Sequence, residues 1–151
     1  MAFLSSCSPD ALPPESGTEV VLGLEGQIRG RLDGLDANTA LYAKHLPSGR
    51  EVAIRADDPV NTLSIIEIPI MVLRRQLYSS RLPQRISFRA GIGHKTGDMP
   101  PVAGNDAGII YSGNGPIVVS VFATQNRGDF FELEATLGLI AEDLLDDWGT
   151  P

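Results

Sequence analysis

Cysteine and clustered basic residues are both scarce in this sequence, and each scarcity excludes a class of protein. The single cysteine, Cys7, cannot form a disulfide within the chain, and the paired cysteines of a zinc motif are missing. The formal net charge is -7, and the sequence contains no clustered run of Lys and Arg residues. Nucleic acids and anionic membranes attract the opposite charge, so we expect neither as a partner.

Several further patterns are missing from the sequence. It contains no apolar run of membrane-spanning length, no glycine-rich phosphate loop and no His-x-x-x-His spacing. We therefore predict no transmembrane segment, no bound metal and no cofactor.

The length and composition predict one domain with an ordinary core, because the 151 residues are 42% hydrophobic. Residues 1–17 are rich in Ser, Pro and Gly and read as a disordered tether or signal remnant, which leaves residues 18–151 as the domain. Leu4-Ser5-Ser6-Cys7 resembles the end of a bacterial lipoprotein signal, but no basic segment or long apolar segment precedes it. An exposed N-terminus and a lipidated Cys7 both remain open.

The first half of the chain predicts a helix followed by a hairpin. Apolar residues recur every four positions from Val20 to Leu32, which indicates an amphipathic helix over 18–32. Residues 39–46 and 51–56 have strand character, and Pro47-Ser48-Gly49-Arg50 between them suits a tight turn.

The second half predicts two helices and three strands. Residues 64–78 are apolar on nearly every side, which favours a central helix that begins at Ser64. A polar connector with weak strand character at its end follows over 79–90, and then strands over 91–98, 106–112 and 116–124. Gly113-Asn114-Gly115 is predicted as a hairpin turn between the last two strands. The last helix is predicted to begin after Asp129, to carry an apolar stripe that ends in Trp148, and to stop at Gly149.

Two motifs in this order carry a resemblance to a known family. Lys95-Thr96-Gly97 stands on a predicted strand, and Ser64-Ile65-Ile66-Glu67 opens the helix upstream. Together they resemble the class A serine β-lactamases and, more broadly, the penicillin-recognising serine hydrolases. The resemblance implies an α+β fold, in which N- and C-terminal helices cover one face of a five-stranded antiparallel sheet and the Ser64 helix covers the other. Residues 79–90 stand where the family inserts a helical domain, so that domain is expected to be missing.

The resemblance also implies site residues and a substrate. Ser64 corresponds to the acylated serine, and Lys95 and Thr96 correspond to the residues that hold the substrate carboxylate. The backbone N–H groups of Ser64 and Asp98 would form the oxyanion hole, and Gly97 would let the substrate approach closely. The expected substrate is a β-lactam or a peptidoglycan-like small molecule, and the expected location is periplasmic or otherwise extracytoplasmic.

One position departs from the family pattern and puts catalysis in doubt. The family motif is Ser-x-x-Lys, whereas Glu67 stands here in place of the lysine. The Ser-Asp-Asn motif and the omega-loop glutamate belong to the missing domain, so the serine lacks its usual bases. Glu67 is the remaining candidate base, although a nearby Lys95 cation would make its carboxylate a weaker one.

Several alternatives follow from this departure. Ser64 would then only cap its helix, Lys95 and Glu67 would form a solvated or structural ion pair, and His94 and His45 would be partly buried core residues. The protein as a whole would be a weak hydrolase or a noncatalytic binding module that self-associates through the exposed helix surface. A deletion product of a full-length β-lactamase is the third alternative.

Overall fold

Seven regular elements lie within the residues that the computed structural model describes, 23–65 and 78–150. Their bounds are α1 (Leu24–Asp33), β1 (Asn38–His45), β2 (Glu51–Ile54), β3 (Gly91–Met99), β4 (Ala103–Ser112), β5 (Gly115–Thr124) and α2 (Phe130–Trp148). The predicted α+β class, both hairpins and the final helix are confirmed. The predicted tether and the start of the first helix, residues 18–22, lie outside the described residues.

The five strands form one antiparallel sheet in the order β2-β1-β5-β4-β3, which confirms the predicted sheet. β5 is central because it pairs with both β1 and β4. The β4–β5 hairpin closes at the pair Ser112 and Gly115, so its loop has only two residues, Gly113 and Asn114. β3 is left at one edge of the sheet.

The two helices pack on one face of the sheet and bury the core there. Ile28 and Leu32 of α1 are buried, as the four-residue spacing predicts. The predicted stripe of α2 is buried at Leu133, Leu137, Ile140, Ala141, Leu144 and Trp148. Asp129 caps α2 by accepting a hydrogen bond of 2.8 Å from the Phe131 N–H, and Gly149 follows its last turn.

Four carboxylates on the second half of α2 are each paired with an arginine from another part of the chain. The pairs are Arg85–Glu142 at 2.8 Å and Arg31–Asp143, Arg89–Asp146 and Arg50–Asp147, each at 2.5 Å. The helix dipole disfavours acidic residues at a C-terminal end. The arginines offset that cost and connect α2 to α1, to the β1–β2 turn and to the residues before β3.

β4 begins at Ala103, three residues earlier than predicted. Its first residues, Ala103-Gly104-Asn105, have low strand propensity, so the pattern does not mark them. They are held in the sheet by tertiary contacts instead. A Cβ placed on Gly104 would lie 2.9 Å from Leu133 Cδ2 of α2, which shows how closely the helix approaches the strand.

The predicted helix over 64–78 falls mostly on residues 66–77, which lie outside the described residues. Leu63–Ile65 form a single 3₁₀ turn, in which the Ile65 N–H donates to the Thr62 carbonyl at 3.1 Å, and Tyr78 is not helical. We call residues 62–65 the Ser64 turn.

The predicted strand character at the end of the connector, residues 79–90, is wrong. The connector forms consecutive turns: the Pro83 carbonyl accepts from the Ile86 and Ser87 N–H groups, and the Ile86 carbonyl accepts from Arg89 and Ala90. Leu82 and Ile86 are fully buried in the core. The turns are sufficient to place these two side chains in the core, and the strand begins only at Gly91.

A matched pair of glycine substitutions tests the packing between β3 and β4. A Cβ on Gly108 would lie 2.4 Å from the Gly93 carbonyl oxygen, whereas a Cβ on Gly30 in α1 would meet nothing within 4 Å. We expect Gly108→Ala to destabilise the fold by about 1–3 kcal/mol and Gly30→Ala to stabilise it by about 0.5–1 kcal/mol. Urea unfolding followed by circular dichroism measures both, and equal effects of the two substitutions would contradict the β3–β4 register.

Candidate active site

The strand residues Lys95-Thr96-Gly97-Asp98 lie on β3, at the edge of the sheet, and alternate between its two faces. Gly97 pairs with Asn105 and Lys95 with Ala107, so Lys95 and Gly97 share one face. Thr96 and Asp98 point to the opposite face, which is the face covered by α2. The four residues implied by the resemblance are therefore divided between two environments.

The Ser64 turn packs directly on Gly97. A Cβ placed on Gly97 would lie 2.8 Å from the Thr62 carbonyl oxygen, 3.1 Å from Leu63 Cβ and 3.2 Å from Ile65 Cγ1. Only glycine permits this approach at that position. The turn lies on the face of the sheet opposite α2, where the resemblance places the start of the Ser64 helix.

Asn105 attaches the Ser64 turn to the centre of the sheet. Its side chain is fully buried; Nδ2 donates to the Asn61 carbonyl at 2.8 Å, and Oδ1 accepts from the Ala123 N–H at 3.1 Å. A buried amide that satisfies two backbone groups fixes the distance between them. The segment that leads into Ser64 is thereby held against β4 and β5.

The backbone of the Ser64 turn is strained immediately before the serine. Leu63 has a φ of 47°, in the left-handed region that a bulky side chain rarely occupies. The Asn61 side chain accepts a hydrogen bond of 3.2 Å from the Leu63 N–H and supports this conformation. Such strain costs on the order of 1 kcal/mol or more and is concentrated at functional sites in proteins.

Lys95 and Thr96 are both buried. Lys95 is 9% exposed and Thr96 is 4% exposed, and the Lys95 ammonium donates a hydrogen bond of 2.8 Å to the Thr96 carbonyl. The Lys95 cation is therefore held within the strand region rather than extended into solvent. Its role toward a substrate carboxylate stays a prediction, as does that of Thr96.

Arg81 lies beneath β3 and is fully buried, although it follows a polar stretch in the connector. Its guanidinium forms an ion pair with Asp98, lies 3.2 Å from Glu134 and donates to the Asn105 carbonyl at 2.8 Å. The guanidinium carbon also lies 5.3 Å from the centre of the Tyr78 ring. Sequence reasoning missed Arg81 because an arginine after Ser79-Ser80 in a polar connector reads as an exposed residue.

Asp98 is consequently an anchor for β3 on the face away from Gly97. Its carboxylate is directed to Arg81, so only its backbone could serve an oxyanion on the other side. That role for the Asp98 N–H is the one that the resemblance implies, and it stays a prediction. Glu67 lies outside the described residues, and the structure therefore does not place it relative to Ser64 or Lys95.

Both histidines are buried, more completely than the partial burial that was predicted. His94 is 3% exposed, and its Nδ1 lies 2.8 Å from Oδ1 of the fully buried Asp106, whose other oxygen accepts from the Leu82 N–H at 3.2 Å. Burial raises the pKa of the Asp106 carboxyl above its ordinary value, although the hydrogen bond with His94 opposes this shift. His45 is 2% exposed and contacts the Ser48 hydroxyl and the Asn114 carbonyl.

The described part of the chain has neither a metal-binding cluster nor a membrane-spanning helix. Within residues 23–65 and 78–150, no three or more His, Cys, Asp or Glu side chains are grouped so that they could hold a metal ion. In the same residues, no helix is both long enough and apolar enough to cross a membrane.

The sequence of the second half of the chain decides the family. Residues 72–148, about half of the chain, match the sequence profile of the β-lactamase enzyme family. The chain belongs to the β-lactamase enzyme family. Only residues 66–90 separate the Ser64 turn from β3, so this member of the family lacks the helical domain.

Solved structures of β-lactamases share the fold of this family member. An ancestral class A β-lactamase (GNCA) matches with a TM-score of 0.70 and 10% identity, over 83% of this chain and 100% of that one. A β-lactamase from Chitinophaga pinensis DSM 2588 matches with a TM-score of 0.72 and 10% identity, over 82% and 98% of the two chains.

A β-lactamase from Xanthomonas campestris pv. campestris str. ATCC 33913 gives a TM-score of 0.64 at 10% identity, over 83% of this chain and 99% of that one. At such identities these matches show the fold alone. No curated protein matches the chain by sequence.

Substitution of Arg81 tests whether the connector holds β3 in place. We expect Arg81→Met to destabilise the protein by about 3–5 kcal/mol. The substitution leaves the Glu134 carboxylate, 5% exposed, without a cation and with only the Tyr78 and Ser80 hydroxyls as hydrogen-bond donors. Arg85→Met is the matched control: Arg85 pairs with Glu142 at the surface, and we expect a loss below about 1 kcal/mol. Urea unfolding measures both losses.

A double substitution distinguishes the charge of Arg81 from its packing. The double substitution Arg81→Met with Glu134→Gln should recover part of the stability, since it removes the charge that the single substitution leaves behind. Equal losses for Arg81→Met and Arg85→Met, or no recovery in the double variant, would show that Arg81 acts through packing alone.

Proposed function

We propose that this protein is a β-lactamase-type serine hydrolase in which Ser64 is acylated and turnover is impaired. The proposal rests on one observation above the others: the Ser64 turn packs on Gly97, within the strand that carries Lys95 and Thr96. The strained Leu63 immediately before the serine supports it. The substrate class proposed is a β-lactam or a peptidoglycan-like compound, met outside the cytoplasm.

The acylation step assigns a task to each residue. Ser64 Oγ attacks the lactam carbonyl, the C–N bond of the ring breaks, and the serine proton is transferred through a base to the departing nitrogen. The backbone N–H groups of Ser64 and Asp98 stabilise the oxyanion, while Lys95, which shares the Gly97 face of β3, holds the substrate carboxylate. Hydrolysis of the ester then needs a water molecule activated by a second base.

The bases are where this chain departs from its family, and this departure is the reason for proposing impaired turnover. Glu67 replaces the lysine of Ser-x-x-Lys and is the proposed base for Ser64. A carboxylate is a weaker proton acceptor at neutral pH than a lysine amine whose pKa is lowered by its site. No omega-loop glutamate is available for deacylation, because the helical domain is missing. Acyl-enzyme should therefore form slowly and persist.

Covalent labelling tests this function. A fluorescent penicillin should label the protein slowly, and intact-mass spectrometry should show an adduct that persists after free reagent is removed. Ser64→Ala should abolish the label, whereas Ser87→Ala, an exposed serine in the connector, should leave it unchanged. Glu67→Lys should raise the labelling rate by about 10²-fold or more, because general-base catalysis contributes that much.

The outcomes separate the parts of the proposal. No adduct on the wild type together with an adduct on Glu67→Lys would show that the scaffold is intact and that the base is lost. An adduct that survives Ser64→Ala, or no adduct on any variant at high penicillin concentration, would exclude the proposed hydrolase.

A specific observation favours a second function, that of a noncatalytic binding or assembly module. Tyr42 and Tyr111 lie on the face of the sheet opposite α2 and are 36% and 37% exposed. Exposed aromatic side chains on the face of a sheet are typical of interaction surfaces.

Self-association tests this second function. Sedimentation velocity over a series of concentrations should show a dimer or larger species, and Tyr42→Lys should shift the profile toward monomer, since a charge in the interface is costly. Phe131→Lys is the control, because Phe131 is 79% exposed on α2, away from that face. A profile that stays monomeric at every concentration would count against assembly through the sheet.

A further inference from the structure

A groove of about 660 Å³ opens at the end of the sheet where β4 and β5 part. The two strands pair only as far as Asp106 and Val121, although β4 begins at Ala103 and β5 continues to Thr124. At the point of separation the Ala123 N–H is bonded by the Asn105 side chain rather than by the β4 backbone. The Asn105 side chain therefore holds the two strands apart, and the gap beside it is part of the structure of the sheet.

The groove has walls from four parts of the chain. They are the end of α1, the segment between β2 and the Ser64 turn, the β3–β4 turn and the adjacent ends of β1 and β5. The residues used below are Asp33, Arg55, Asp58, Met99, Val102 and Gln125. Asn61, which supports the Ser64 turn, also lines the groove. Ser64, Lys95, Thr96, Gly97 and Asp98 are not among its described lining residues, so the groove adjoins the candidate active site without including those five residues.

The apolar part of the groove is open to solvent. Met99 and Val102, both in the β3–β4 turn region, are 45% and 41% exposed and line the groove. Large apolar side chains exposed in a concave site gain the most from contact with an apolar ligand. The volume also lies within the range of roughly 300–1,000 Å³ that is usual for small-molecule sites.

Arg55 is the cation among the described lining residues of the groove, and it is already neutralised. Arg55 donates to the Thr39 carbonyl at 2.6 Å and to the Thr39 hydroxyl at 2.5 Å, and its third contact is with Asp33 at 2.9 Å. This arrangement holds Arg55 against the wall and leaves no free positive charge from it for an anionic ligand.

Asp58 supplies the charge that remains. Among the described residues its carboxylate has no hydrogen-bond or ion-pair partner, and only its backbone N–H is bonded, to the Arg55 carbonyl at 3.1 Å. Asp58 is exposed. Within the described part of the chain, the groove therefore combines an exposed apolar surface with one solvent-accessible carboxylate that has no cationic partner. Charge complementarity selects a ligand that carries a cationic group beside an apolar body.

The backbone around the groove is strained at two places. Arg55 and Gln125 have φ values of 49° and 51°, in the left-handed region, and both line the groove. Side chains hold these conformations, since Asn38 Nδ2 donates to Gln125 Oε1 at 3.1 Å and Arg55 is bonded as described. Residues held in such conformations are concentrated at functional sites in proteins.

We propose that this groove binds a small organic cation, with its apolar body against Met99 and Val102 and its ammonium group at Asp58. The site is independent of Ser64 chemistry, and its ligand is a different class of molecule from an anionic β-lactam.

The test uses three probes of matched size on the full-length ¹⁵N-labelled chain. Phenethylamine carries a cation, 2-phenylethanol is neutral, and 3-phenylpropionate is an anion. Amide chemical shifts should move at the groove residues with phenethylamine, binding should be weaker with 2-phenylethanol, and weakest with 3-phenylpropionate. Asp58→Asn should weaken phenethylamine binding by about 2–5-fold, as expected for one solvent-exposed ion pair.

Two control variants sharpen the test. Asp57→Asn removes a neighbouring exposed carboxylate that does not line the groove and should leave the affinity unchanged. Val102→Arg should abolish binding, because it places bulk and positive charge in the apolar part. Equal affinities for the three probes, shifts confined to residues outside the groove, or equal effects of Asp57→Asn and Asp58→Asn would overturn the proposal.

Discussion

Burial of the Arg81 guanidinium is the constraint on which the position of β3 depends. Moving this charge out of water costs several kcal/mol, so the fold holds together only if its partners are in place at the same time. Those partners come from β3, β4 and α2, through Asp98, the Asn105 carbonyl and Glu134. The connector therefore fixes the edge strand β3, which carries the family motif. It does so on the α2 face, opposite Gly97 and the Ser64 turn.

The two faces of β3 have different tasks. The α2 face is charged but closed, and there the His94–Asp106 and Arg81–Asp98 contacts hold the strand. The other face is shaped by the missing side chain of Gly97, which lets the Ser64 turn approach to contact distance. This division explains how a strand at the edge of a sheet stays ordered without a helical domain packed beside it.

The sequence predicted those parts of the fold that depend on local pattern. The final helix was predictable because Asp129, a four-residue apolar repeat and Gly149 all mark it, and both hairpins were predictable from Pro, Gly and Asn in their turns. The start of β4 was not, because Ala103-Gly104-Asn105 is held by the hydrogen bond of the Asn105 side chain with the Ala123 N–H and by close packing against α2. Arg81 and the groove were also beyond reach, since a charged residue in a connector and a gap between strands leave no periodic signal. The meeting of the Ser64 turn and Gly97 could be expected only from resemblance.

The pairing order of the sheet has a consequence for biosynthesis. β1 is made early but must wait for β5, and the arginines of α1 and of the first hairpin must wait for the acidic half of α2. Until β5 leaves the ribosome, the β1–β2 hairpin has an unpaired edge, and its apolar face is covered by α2 only later still. Such long-range topology slows folding and exposes nascent chains to aggregation, so this small protein should rely on chaperones during its synthesis.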